Sequence, residues 1–198
     1  MAPTGVALRD VREQLFGAAE RVLLRAGPNA LTSRAVTEEA GCAKGVLHRH
    51  FADFDAFLAE LVLDRIGRLD ARGATLCAVA GTGSVTGRLT DALTELFGPV
   101  ALGVLGLITS RDALRTRLRR TTPIGIPLLT EAAAVLIAYL TAERDLGRLA
   151  PDADVDTLAL TLTGAGHLLF AGHENGPPEP EAVRKVVVSV IGGAVREG

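Results

Sequence analysis

Within a chain of 198 residues, Lys44, Gly45, Val46, His48, Arg49 and His50 gather cations and hydrogen-bonding groups into one short stretch. Leu47 and Phe51 stand four residues apart, so on a helix both point inward and leave the others on the remaining faces. The result is a cationic tip of about the width that a major groove admits. Lys44 and Gly45 open the helix, and Gly45 has no side chain to hold base edges away. Val46 offers apolar contact to a thymine methyl group. This chemistry is recognition rather than catalysis. His48 and His50 lie two apart and diverge on a helix, so no metal site is expected there. The chain has no glycine-rich phosphate loop, no G-x-S-x-G elbow and no H-E-x-x-H. Enzyme activity and a cofactor are therefore not expected.

The elements that must position this tip are helical. Val11, Leu15, Ala18, Val22 and Ala26 form one apolar stripe until Gly27-Pro28 stops it. Thr32 and Ser33 offer an N-cap for a short second helix with Ala35, Val36 and Ala40 inward, ended by Gly41. The third helix starts near Ala43 or Lys44 and ends about His50. Asp53 caps a fourth that runs into the 70s. A short helix, a glycine turn and a second short helix are the parts of a helix-turn-helix. Thr32, Ser33 and Arg34, at the start of the second helix, complete the expected contact set.

Residues 11–62 resemble the DNA-binding half of the tetracycline-repressor-like (TetR) family. Its usual string opens LT-x-x-x-[IV] and continues AG-[VC]-[SA]-[KR]-G-x-[LF]-Y-x-[HY]-F before a capped helix. The chain matches at Leu31, Thr32, Val36, Ala40, Gly41, Lys44, Gly45, Leu47, His50 and Phe51. It departs in three places. His48 replaces the tyrosine of the recognition helix, Ala43 stands where serine often caps it, and Phe54 replaces a lysine that binds phosphate in the family. The resemblance implies a DNA-binding transcriptional repressor, and the last substitution implies that one backbone contact is missing.

Charge bears on that expectation. The formal net charge is −2, and residues 1–62 hold seven basic and eight acidic side chains. Only charges within a Debye length of about 10 Å of the DNA face count. Arg34, Lys44 and Arg49 are therefore expected to face phosphates, with Glu38, Glu39 and Asp53 turned away or flanking them. Cys42 and Cys77 have no zinc or disulfide pattern, and Met1–Gly5 lacks the blocks of a signal peptide. The longest apolar stretch, Val100 to Ile108, is too short to span a membrane. A cytoplasmic protein without membrane contact is expected.

Beyond residue 62 the pattern stays helical, giving an all-α chain of nine or ten helices. A break falls at Ala80–Ser84. Helices follow near Val85–Phe97, through Val100–Ile108, at Arg111–Arg120, from about Leu128 to Asp145, and at Val155–Ala171 and Pro180–Val195. Pro123 and Pro127 interrupt between them. The division expected is 1–62 for DNA binding and 63–198 for effector binding and dimerisation. A two-fold dimer reads half-sites about 34 Å apart, hence a palindromic operator of double-stranded DNA. The last two helices suit the dimer. Val155, Leu158, Leu162 and Leu169 line one stripe, and Val183, Val186, Val187, Val190, Ile191 and Ala194 the other. The same stripes also serve to close the monomer's own core. With the resemblance, they imply a four-helix bundle between subunits.

The middle helices are expected to hold the effector. Phe97, Leu105, Ile124 and Leu128 supply an apolar lining, and Thr109, Thr130, Tyr139 and His167 supply polar groups to orient the ligand. Such a lining favours a small apolar molecule. His167 is either a hydrogen-bonded core residue or, in the layout the resemblance implies, a polar anchor. The arginines from Arg111 to Arg120 read as a solvated face, or as a dock for an acidic ligand. The rival function is a helical small-molecule-binding protein without a DNA role.

Overall fold

The computed structural model describes residues 6–122, 124–173 and 176–196, with side chains from residue 11 onward. Met1–Gly5 and Pro123, two segments on which sequence expectations rest, lie outside the described residues. Among those described, the chain forms ten α-helices: α1 (Val6–Ala26), α2 (Ser33–Glu39), α3 (Gly45–His50), α4 (Phe54–Ala78), α5 (Val85–Leu96), α6 (Pro99–Ser110), α7 (Asp112–Leu118), α8 (Leu129–Asp145), α9 (Val155–Ala171) and α10 (Pro180–Ile191). A short 3-10 turn at Pro28–Ala30 follows Gly27, whose φ of 74° needs a residue without a Cβ. No single helix among the described residues is long and apolar enough to cross a membrane.

The helices group into two compact units. The first holds residues 1–64 and 103–123, the second residues 65–102 and 124–198. The chain leaves the first unit along α4 and returns to it along α6. The returning piece packs through small residues: a Cβ on Gly103 would lie 3.5 Å from Leu23, and one on Gly106 3.5 Å from Pro28.

The core of the first unit is built from aliphatic residues and phenylalanines. Leu15, Ala18, Ala19, Val22, Leu31, Val36, Leu47, Leu58, Leu61 and Val62 are buried. Phe51 meets Phe57 edge-on at 5.0 Å, and Phe16 lies 5.6 Å from Phe57. Such pairs prefer offset or edge-on packing, so α1, the end of α3 and the start of α4 are held against one another.

In the second unit α8 packs on α9, and α10 on α5 and α9. The expected dimer stripes face inward: Val155, Leu162, Val183, Val187 and Ile191 are buried in their own chain. The large apolar side chains left outside on these two helices are Leu160, Leu168 and Val188, with Leu168 75% exposed. In sequence these stripes suit two roles, the dimer and the monomer's own core, and their burial here fits the second.

Candidate nucleic-acid interface

Two caps and one turn set the entry to the interface. Thr32 is extended and its hydroxyl accepts from the Ala35 amide at 3.1 Å, starting α2. Gly41, at φ 65°, makes the turn that follows. Gln14 on α1 donates to the Ala40 carbonyl at 2.7 Å and ties the end of α2 to α1. Asp53 then accepts from the Ala56 amide at 2.6 Å and starts α4.

Between them α3 sits on its anchors, with Leu47 and Phe51 buried. Arg12 reinforces that seat: its guanidinium lies 4.5 Å from the Phe51 ring centre, pairs with Glu60 and reaches the His50 carbonyl. Lys44, Gly45, His48 and Arg49 are exposed, while Val46 and His50 are half-buried. A Cβ at Gly45 would meet nothing within 4 Å, so the space in front of the helix start is open. Of the preceding contact set, Thr32 and Arg34 are exposed. The Ser33 hydroxyl is turned inward and finds no partner among the described residues.

The acidic side chains near this surface are engaged elsewhere. Glu39 accepts from Arg21 at 2.7 Å and lies 2.8 Å from an Arg25 nitrogen, contacts that hold its carboxyl below the ordinary value. Glu38 takes Arg34 at 2.7 Å, so that arginine is not solely available to phosphate. Asp53 binds both terminal nitrogens of Arg117, at 2.7 and 3.2 Å. That fork, and then the Ala56 amide, lower its pKa. No acidic partner for Lys44 or Arg49 is present among the described residues. The local balance at the tip is therefore positive although the segment as a whole is not.

Arg117 and Arg111 make supporting contacts that sequence reasoning missed. Arg111 donates to the Leu31 carbonyl at 2.7 Å and lies 5.7 Å from the centre of the Phe54 ring. Phe54, where a lysine was expected, stacks on Phe57 at 5.7 Å. The arginines of residues 111–120 are thus not simply a solvated face, since two of them brace the helix-turn-helix. A spacing pattern along the chain carries no trace of partners 64 and 80 residues away.

The second unit contains two half-open clefts with a shared wall at Arg72, Glu95 and Leu96. One, of about 260 Å³, lies among α4, α5 and Val135 of α8. The other, of about 200 Å³, lies among α4, α5, the start of α6 and Leu128. Of the seven residues expected to bind ligand, Leu128 lines a cleft. Phe97 is buried against Gly166, His167 and Phe170. Tyr139 is fully buried, and burial, then Glu143, raises its hydroxyl pKa. Leu105 is buried in α6, whereas Ile124 is 80% exposed. The Thr109 hydroxyl donates to the Leu105 carbonyl at 3.0 Å, and that of Thr130 donates to the Ile126 carbonyl. His167 Nδ1 is buried without a partner among the described residues.

Comparison with known proteins agrees with this geometry. Residues 15–61 match the family model described as bacterial regulatory proteins, tetR family. No curated protein sequence matches the chain at a significant level. Among solved structures, a TetR-family transcriptional regulator from Agrobacterium tumefaciens has a TM-score of 0.71 at 14% identity, covering 96% of this chain and 100% of that one. A TetR transcription regulator from Haloarcula marismortui has a TM-score of 0.67 at 20% identity, with 95% and 100% covered. A gamma-butyrolactone receptor, ArpA-like, has a TM-score of 0.59 at 20% identity, with 94% and 99% covered. At these identities the structural likeness establishes a shared all-α fold. The matched segment falls on α1 to α4, where the caps, the glycine turn and the exposed tip all lie, so residues 15–61 form a segment of the kind described as bacterial regulatory proteins, tetR family.

Proposed function

We propose that the chain is a sequence-specific DNA-binding repressor that acts as a homodimer on a palindromic operator and is released by a small effector. The observation that carries this reading is the exposed surface of Lys44, Gly45, His48 and Arg49 on buried anchors Leu47 and Phe51. In this assignment Lys44 and Arg49 meet phosphates or guanine edges, Val46 meets a thymine methyl, and His48 takes the place of the family's tyrosine. Arg34 contributes by leaving Glu38, and Thr32 and His50 flank the contact.

One short recognition helix buries too little surface for tight binding alone, and a second copy doubles the contacts. Leu160 and Leu168 of α9, with Gly164 between them and Val188 on α10, supply the apolar face for that second copy. The effector belongs to the second unit. Helix α4, capped by Asp53, begins at Phe54, soon after α3, and its later turns wall the clefts. A ligand that displaces α4 would change the half-site spacing. The likeness to a gamma-butyrolactone receptor supports a ligand-responsive reading.

Selection of bound duplexes from a random DNA pool tests the proposal. Recovery of a palindrome with half-sites about one helical turn apart is expected. Recovery of unrelated sequences, or of none, would contradict it.

A further inference from the structure

Residues 1–64 hold seven basic and nine acidic side chains, a poor match for a polyanion. The first unit also contains residues 103–123, which add five arginines against one carboxylate, Asp112. That unit therefore holds twelve basic and ten acidic side chains, a net +2, while the second holds nine and thirteen, a net −4. Arg111, Arg115, Arg117, Arg119 and Arg120 set the sign of the unit that carries the helix-turn-helix.

Helix α7 presents these arginines from a buried base of Leu114 and Leu118. Two of the five are spent on carboxylates: Arg115 pairs with Asp112, and Arg117 forks onto Asp53. Arg111 donates to the Leu31 carbonyl. Arg119 and Arg120, both exposed, pair with no carboxylate among the described residues. Arg120 shares a shallow depression with Arg117, Asp53 and Asp55. With Asp53 engaged by Arg117, Asp55 is the acid left in it. Asp53 follows His50 by three residues, so the start of α4 lies within about 11 Å of the end of α3. A major groove is about 12 Å wide, and the phosphates bordering a duplex seated on α3 run at a similar distance. The fork from Arg117 to Asp53 holds α7 in that band.

We propose that Arg119 and Arg120 form a second, sequence-independent contact to duplex DNA, each meeting a phosphate beside the groove that α3 enters. Such contacts fix register and add affinity without reading bases. This rests on the reading of α3 as the recognition helix. Basic residues also suit the C-terminal end of a helix through its dipole, and the test separates the two roles.

The full chain is titrated by fluorescence anisotropy onto the selected operator and onto a random-sequence duplex across a salt series. At about 0.9 per phosphate contact, Arg119→Gln/Arg120→Gln should make the slope of log affinity against log salt shallower by about 1.8 for each protomer bound. The change should be the same on both duplexes. Arg119→Lys/Arg120→Lys, which keeps both charges, should keep the wild-type slope. So should Arg196→Gln, which removes a cation from the second unit. A slope unchanged in the glutamine variant, or lost equally in the lysine variant, would overturn the inference. An unchanged slope with a lowered melting temperature would assign the two arginines to the helix end alone. If the operator is bound and the slope does not move, only this contact falls. If the slope moves and neither duplex is preferred, the sequence-specific reading falls and the contact stands. If neither duplex binds, both fall.

Discussion

The interface is decided by where individual charges find partners. Glu39, Asp53 and Glu60 are each met by an arginine from another helix, and Lys44 and Arg49 keep the tip to themselves among the described residues. Asp53 yields a direct prediction. Its folded pKa is lowered, first by Arg117, so its contribution is present above the ordinary carboxylate value of about 4 and is lost as pH falls through the still lower folded value. Melting temperature should therefore drop as pH falls below about 4, and less steeply in Asp53→Asn. A variant with the wild-type acid slope would count against the pairing. Asp53→Ala should in addition lower stability through the lost cap, measurable by denaturant titration. Thr32 and Asp53 were legible as caps because capping is local, three residues from oxygen to amide. Arg117 was not, since only the folded chain brings it to Asp53.

At the scale of elements, sequence punctuation sufficed for boundaries more often than for faces. Helix α9 runs from Val155 to Ala171 as expected, because Asp154 caps it and glycine follows its end. Its buried face was not legible, as leucines occur on every side. Gly166 marks that face: a Cβ there would lie 2.8 Å from the Phe97 ring. Gly166→Ala should destabilise by about 1–3 kcal/mol, whereas Gly164→Ala, with nothing within 4 Å, should raise the melting temperature of a monomeric variant slightly, since alanine is the better helix former by about 0.5–1 kcal/mol. Equal effects would mean that α9 is packed differently. Glu143, fully buried on α8, accepts from the Gly81 amide at 3.3 Å and lies 3.1 Å from Arg148. It secures the turn between α4 and α5, the two helices that wall both clefts. Glu143→Ala leaves that amide without its acceptor and removes the carboxylate from Arg148, which keeps the Gly83 carbonyl, and should cost about 3 kcal/mol. A loss below 1 kcal/mol in denaturant unfolding would mean that the turn holds without it. No periodicity announces such a residue, because a lone glutamate near a helix end reads as a surface charge.

For the whole molecule, the fold class and the place of the helix-turn-helix were legible because helical periodicity and a glycine turn are properties of neighbouring residues. The return of residues 103–123 to the first unit was not, since it depends on contacts across the chain. The proposed dimer face makes its own prediction: Leu168→Glu should shift the sedimentation coefficient from dimer to monomer and reduce operator affinity with it. A variant that stays dimeric would place the contact elsewhere. The recognition helix is tested most directly by fluorescence anisotropy on the selected operator, comparing wild type with Lys44→Ala/Arg49→Ala at matched salt and melting temperature. At about 1–3 kcal/mol for each lost base contact, the double variant should bind at least tenfold more weakly, with a shallower salt dependence if either residue meets phosphate. A folded double variant that binds the operator as tightly as wild type would contradict DNA recognition by α3.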